Sequence, residues 1–316
     1  MFTIRLAIVA AFACLVSLVS SVQAQQKDKP LEPYINPKTK KDKADEQLEK
    51  LKAQVKRDTA QKDHPVVEVK VYSRDVSADD LKLLLAFKTI KRIDFNTTKV
   101  NGPGLAALAE LPLEHLFLPT NAILDDDGVK AIAKLKTLKV LSVPQSKFRM
   151  QFKDETIKEL AALTDLEELT VSYGVSDAAV AEVLKSLKKL RKFNANNCDV
   201  GDGAMKALSE QPEVRVVELF GSNVRDPGYA HIGKLEKLEE LRSSYGLTDK
   251  GLAELGKLKN LKKLNVWNSS VTIKGIRDLP NLKNLKELDI STQRIKANEA
   301  EELRKELPDC KVIYKK

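Results

Sequence analysis

Three histidines, three cysteines and one run of three aspartates are the residues of this chain whose types could do covalent or metal chemistry. Acid-base catalysis needs an imidazole or carboxylate within hydrogen-bond reach of its target and an orienting partner. His64 precedes Pro65, His115 falls in a strand-like stretch and His231 follows Tyr229-Ala230, and no spacing gathers them. Asp125-Asp126-Asp127 offers the oxygens a calcium ion takes. It lacks the alternation and downstream Glu of a helix-loop site, and a helix start attracts acids with no metal present. There is no phosphate loop, dinucleotide fingerprint or paired zinc-ligand spacing. The expectation is a protein that is not an enzyme and takes no metal and no cofactor.

Recognition chemistry remains, and its residues are spaced by a repeat of about 24 residues running from Val66 to the C-terminus. Apolar pairs two residues apart mark it: Val69/Val71, Ile93/Phe95, Leu116/Leu118, Leu141/Val143, Leu169/Val171, Phe193/Ala195, Val217/Leu219, Leu241/Ser243, Leu264/Val266, Leu288/Ile290 and Val312/Tyr314. Their first members lie 24, 23, 25, 28, 24, 24, 24, 23, 24 and 24 residues apart. Period two predicts a short strand with one buried face. After each strand the period changes to three or four, as in Leu105/Leu108/Leu111 and Leu252/Leu255/Leu258, which predicts a short helix burying one stripe. Ser176-Asp177, Thr248-Asp249-Lys250-Gly251 and Asp125 to Gly128 read as helix starts. Such units cannot bury their edges alone and must stack around one elongated core.

The frame L-x-x-L-x-L-x-x-(N/T/C)-x-(I/L) followed by T-D-x-G-L-x-x-L resembles the leucine-rich repeat family over residues 66 to 316. Leu238-Glu239-Glu240-Leu241 through Leu247-Thr248-Asp249-Lys250-Gly251-Leu252, with Leu255 and Leu258, is the fullest instance. The resemblance is to bacterial and cysteine-containing subtypes. It implies a right-handed α/β horseshoe, with a parallel sheet on the concave face and short helices outside. The ninth position, where Asn commonly forms a ladder in this family, reads Arg74, Thr98, Asn121, Ser146, Gly174, Cys198, Ser222, Gly246, Ser269 and Gln293. A continuous Asn ladder is therefore not expected.

Composition agrees. At 42% apolar and 5% aromatic, the chain fills a core with Leu, Ile, Val and Ala and needs no second globular domain. The net charge is +9, but residues 25–62 alone hold 11 Lys/Arg against 7 Asp/Glu, so the repeats carry a small surplus. Phosphate recognition needs cations gathered on one face, and here they alternate with Glu along a solvated rim, so no nucleic acid partner is expected. Met1–Arg5, the apolar run Leu6–Val19 and Val22-Gln23-Ala24 have the layout of a signal peptide over 1–24, too short to span a bilayer. Cys14 as a lipidated residue is the competing reading, disfavoured by bulky Phe12 and by the apolar run continuing past it. Residues 25–64 read as a charged linker with a capping helix within Asp42–Gln61, its stripe formed by Leu48, Leu51 and Val55. Residues 65–316 are the repeat domain. Cys198 and Cys310, about five rungs or ~24 Å apart, are expected as free thiols.

The strand residues that face away from the core form a wall on the concave side. Position five reads Lys70, Asp94, Phe117, Ser142, Thr170, Asn194, Glu218, Arg242, Asn265 and Asp289. Positions seven and eight add Tyr72, Tyr173, Asn196, Asn197, Phe220, Tyr245, Trp267 and Asn268. Aromatic anchors amid Asn and isolated charges suit recognition. Ring-on-ring packing between rungs is the alternative. Ser172 to Asp177 and Ser244 to Asp249 are near copies 72 residues apart, best read as a duplication. The long fourth repeat bulges at Phe148, Arg149 and Met150, of which Phe148 falls on a core position.

The expectation is thus an exported, monomeric binding module with a protein partner. Tyr173, Asn194, Phe220, Arg242, Tyr245, Asn265 and Trp267 are its ligand-binding residues; a glycan is the alternative ligand, and the location is periplasmic or extracellular. N-terminal sequencing and intact mass should find the mature chain beginning near Gln25 without lipid, whereas a start at modified Cys14 would place it on a membrane.

Overall fold

A computed structural model describes residues 43–72, 75–96, 99, 100, 102–119, 122, 124–143, 150, 151, 153–243 and 245–315. The expected signal peptide, most of the expected linker, and Phe148 and Arg149 of the bulge lie outside the described residues.

Twelve strands form one sheet: β1 (Ala53–Arg57), β2 (Val66–Tyr72), β3 (Arg92–Asn96), β4 (His115–Phe117), β5 (Val140–Val143), β6 (Glu168–Val171), β7 (Lys192–Asn194), β8 (Val216–Glu218), β9 (Glu240–Arg242), β10 (Lys263–Asn265), β11 (Glu287–Asp289) and β12 (Lys311–Ile313). From β2 onward neighbours are parallel and follow chain order, with Val69 beside Ile93, Leu169 beside Phe193 and Leu264 beside Leu288. The strands alternate half-buried and buried residues, and the repeat's apolar pairs join helix-stripe leucines in one continuous core. The horseshoe solenoid expected from the repeat is the fold observed.

The N-terminal cap differs from the expectation. The helix is confined to α1 (Lys43–Lys50), and Val55 sits not on it but in β1, which pairs antiparallel with β2. Leu48 and Leu51 are buried and Val55 nearly so. The apolar trio was assigned one helical stripe, but covering the first rung takes a helix and an added strand that satisfies the exposed edge of β2. At the other end, α10 (Ala297–Glu306) closes the stack, and Arg304 Nε donates to the Val312 carbonyl at 3.1 Å.

On the side opposite the sheet run α2 (Ala78–Leu83), α3 (Asp126–Ala133), α4 (Asp154–Ile157), α5 (Asp177–Ser186), α6 (Asp202–Leu208), α7 (Asp226–Ile232), α8 (Asp249–Leu255) and α9 (Ile273–Arg277), with 3-10 turns between some of them. Their starts are tied to one another. The residues preceding α4, α6 and α7 are Lys153, Gly201 and Arg225, none of which supplies a capping side chain. In each case a carboxylate from an earlier helix start supplies it. Asp126 accepts from Lys153 N and Thr156 Oγ1; Asp177 accepts from the amides of Gly201, Gly203 and Ala204; Asp202 accepts from those of Arg225 and Gly228. Asp226 and Asp249 bind both the amide and the hydroxyl of Thr248 and Thr272 in the following repeats.

These carboxylates also explain the glycines. A Cβ at Gly203, Gly228, Gly251 or Gly275 would strike the carboxylate arriving from the repeat before it. Gly275→Ala should therefore destabilise the chain by about 1–3 kcal/mol, the usual scale for overpacking. In an Asp249→Ala background the carboxylate is gone and only the Cβ of residue 249, at 3.0 Å, stays close, so the same change should cost clearly less. A double-mutant cycle by denaturant unfolding checks this, and additive effects would disprove the contact.

Candidate functional site

The wall on the sheet side is built from strand positions whose side chains alternate away from the core. Over β7 to β11 three of the five position-five residues are turn makers. Asn194 Oδ1, Asn265 Oδ1 and Asp289 Oδ1 accept from the backbone amides of Asn196, Trp267 and Ser291 at 2.9–3.0 Å. This two-residue reach bends the chain out of each strand. It fixes where the seventh and eighth residues point.

Three of the predicted aromatic residues come together there. Phe220 meets the Tyr245 ring edge-on at 5.3 Å and 73°, and the Trp267 ring at 4.9 Å and 41°. Phe220 and Trp267 belong to repeats two strands, about 9–10 Å, apart, so their rings lean towards each other across the repeat whose seventh residue is Ser244. Phe220 is held from below by its amide, which donates to Asn196 Oδ1 at 2.7 Å. Tyr245 is 45% exposed, the one large apolar side chain so open among the described residues. Tyr173 lies two strands before Phe220, half-buried, and no ring contact joins it to the three. Both packing and display are realised: Phe220 and Trp267 support each other, and Tyr245 is presented.

The predicted polar residues divide. Asn194 was expected as a direct contact, but it is 3% exposed and its amide donates to Glu218 Oε2 at 3.2 Å. The strand end turns it inward. Asn265 donates to Asp289 Oδ2 at 3.2 Å and keeps part of its surface open. Arg242 lies in the middle strand, its NH1 3.9 Å from Glu218 Oε2. Glu218 is the hub of the patch, also taking Asn196 Nδ2 at 3.3 Å and Lys192 Nζ at 3.3 Å.

A second cluster at the N-terminal end of the wall was missed by considering only positions five, seven and eight. Position three shares their face. Arg92 stacks its guanidinium 4.4 Å from the Phe117 ring centroid and lies 3.3 Å from Glu68, which also faces Lys70 at 3.6 Å. Burial raises the Asp94 carboxyl above its ordinary range, against the opposing pull of Lys70 and Arg92. Burial lowers the His115 imidazole, with Arg92 adding to it. Lys70, Asp94 and Phe117 were already on the wall at position five; one further step of the period-two alternation would have added Glu68, Arg92 and His115.

No group of three or more His, Cys, Asp or Glu among the described residues is placed to hold a metal. Asp125, from the acidic run, accepts from Gly128 N as a helix cap. The Cys198 thiol donates to the Ala195 carbonyl, and burial pushes its pKa up to about 12, so it is not a nucleophile at neutral pH. Cys310 is also a free thiol. The described ninth positions form no Asn ladder. Met150 sits in a two-residue strand beside Leu124, and no described helix is long and apolar enough to cross a membrane.

No protein-family model matches the sequence, and no curated protein matches it. Solved structures do share the fold. An internalin (inlF) from Listeria monocytogenes is similar at 19% identity and a TM-score of 0.51, over 74% of this chain and 69% of that one. A TDR receptor is similar at 17% identity and 0.51, over 79% of this chain and 42% of the receptor. This chain has the fold of a leucine-rich repeat solenoid.

Asp94 gives a test of the wall's electrostatics. Its raised carboxyl pKa means that the folded state holds the proton more tightly than the unfolded chain, so stability falls as pH rises through the carboxylate range. Asp94→Asn should therefore raise the melting temperature at pH 7, and the gain should vanish at pH 3, where both states are protonated. A loss of stability at pH 7 would mean that Lys70 and Arg92 outweigh burial.

Proposed function

We propose that this protein is an exported, non-enzymatic binding module that takes a protein partner on its concave face, at the stretch over β8 to β10. The observation that carries the reading is the Phe220, Tyr245 and Trp267 cluster. Two rings brace each other and a third stands 45% exposed on a stretch whose position-five residues are Glu218, Arg242 and Asn265. Aromatic anchors that are fixed before contact lose little freedom on binding, which is why a few such residues dominate many interfaces. Export is supported by the N-terminal layout of one positive charge, an apolar run and small residues before Gln25. The fold likeness supports interaction as the activity.

A photo-crosslinking residue placed at Tyr245 should capture a partner from the native extract, and the same residue at Glu182 on the helical side should not. With that partner in hand, Tyr245→Ala with Trp267→Ala should weaken binding by about 2 kcal/mol or more. The lost ring contacts should cost a smaller amount of folding stability, on the order of 1 kcal/mol. Lost stability with retained affinity would assign the rings to packing alone.

A further inference from the structure

We infer that the partner segment seated on this stretch is an acidic, extended peptide, with one carboxylate on Arg242 and a neighbouring apolar side chain on Phe220, Tyr245 and Trp267. The inference rests on the binding-face reading above. It follows from which charges of the patch are already used. Glu218 takes hydrogen bonds from Asn194 and Asn196 and pairs with Lys192. Asp289 accepts from Asn265 Nδ2 and Ser291 N, and Glu240 pairs with Lys263 at 2.6 Å. Every carboxylate of the stretch has donors at hand.

Arg242 does not. Its guanidinium carries five N–H donors, and NH1, closed to solvent, faces Glu218 at ion-pair distance without a hydrogen bond, so the donors a partner could reach are those on the exposed part of the side chain. The nearest carboxylate oxygen, at 3.9 Å, is the one already shared by Asn194 and Asn196. The side chain is 29% exposed, and its strand lies between those that lead to Phe220 and Trp267. Half-buried polar groups are ordinarily hydrogen-bonded, so the exposed donors of the guanidinium fork, on the strand between those that lead to Phe220 and Trp267, are complementary to a carboxylate carried next to an apolar side chain. A phosphate would fit the same fork. A nucleic acid strand, however, brings a phosphate at every nucleotide and needs cations in series, whereas here Glu218, Glu240 and Asp289 lie around the single open Arg.

Selection of a displayed random decapeptide library on the purified full chain tests this. Enriched sequences should place Asp or Glu beside Leu, Ile or Phe. A synthetic copy should quench the emission of Trp267, the one Trp of the chain. Replacing the acid of that peptide by its amide should weaken binding about tenfold, the worth of a charge-assisted hydrogen bond. Arg242→Gln should weaken the acidic peptide equally and abolish the difference between acid and amide, Arg242→Lys should fall between, and thermal unfolding confirms that both variants fold. Enrichment of peptides without acids, no enrichment, equal binding of acid and amide, an unaffected Arg242→Gln variant, or stronger quenching by an oligouridylate would each overturn the inference. If the Tyr245 and Trp267 double variant loses its cross-linked partner while Arg242→Gln keeps it, the binding face stands and the acidic partner falls. If neither substitution matters, both fall.

Discussion

The stack depends on carboxylates that cap a helix in the next repeat rather than their own. A helix start leaves amides without partners, and a solenoid of short helices has many starts for its length. Asp126, Asp177, Asp202, Asp226 and Asp249 answer this in series, each reaching from the first turn of one helix to the start of a later one. The same contact does two jobs. It satisfies orphan amides, and it sets the spacing and rotation of one repeat against the next, because a carboxylate accepting two or three directed bonds tolerates little sliding. Glycine at the first turn is then a packing requirement imposed by the preceding repeat.

The sheet side is registered by its parallel backbone ladder, with ion pairs along the rim beside it. Lysines, arginines and glutamates pair across neighbouring turns, as where Glu114 takes Lys91 and Lys139, and Glu239 takes Arg215 and Lys262. Such exposed pairs each contribute little. Together they neutralise a rim that would otherwise repel itself. Register on the helical side is thereby held firmly, and the wall opposite is free to carry side chains chosen for something other than stacking.

That freedom is used unevenly. Between β4 and β7 the position-five residues Ser142 and Thr170 are small and neutral, and the clusters described above lie to either side. At one end Arg92, Phe117, Glu68 and Asp94 form a compact cluster in which Arg92 lies against both the Phe117 ring and Glu68, and burial raises Asp94. At the other, Asn265 turns the strand end that carries Trp267, Asn196 holds the Phe220 amide, and three rings from successive repeats converge on the stretch that also carries Arg242. Both clusters keep buried polar atoms without a hydrogen bond, Glu68 Oε1 and Arg92 Nε in the first and Arg242 NH1 in the second; the binding face proposed above lies on the second.

The sequence by itself determined the repeat, the strand and helix of each unit and the single elongated core, because period-two and period-three-to-four apolar spacing states which side of each element must be buried. It also placed Phe220, Tyr245 and Trp267 on one wall, since alternation along a strand is a local rule. Tertiary structure alone decided what those residues do there. Whether Asn194 faces a ligand or turns inward to Glu218, and whether Phe220 touches Trp267 across a repeat, depend on contacts between residues 24 or more positions apart. The N-terminal cap was misread for the same reason: Leu48, Leu51 and Val55 share a helical period, but the open edge of β2 recruits Val55 into a strand. The aspartate and glycine of the T-D-x-G motif were legible as a helix start. Their reach into the adjoining repeat was not, because a carboxylate's partner in the next turn of a solenoid is fixed only once the turns are stacked.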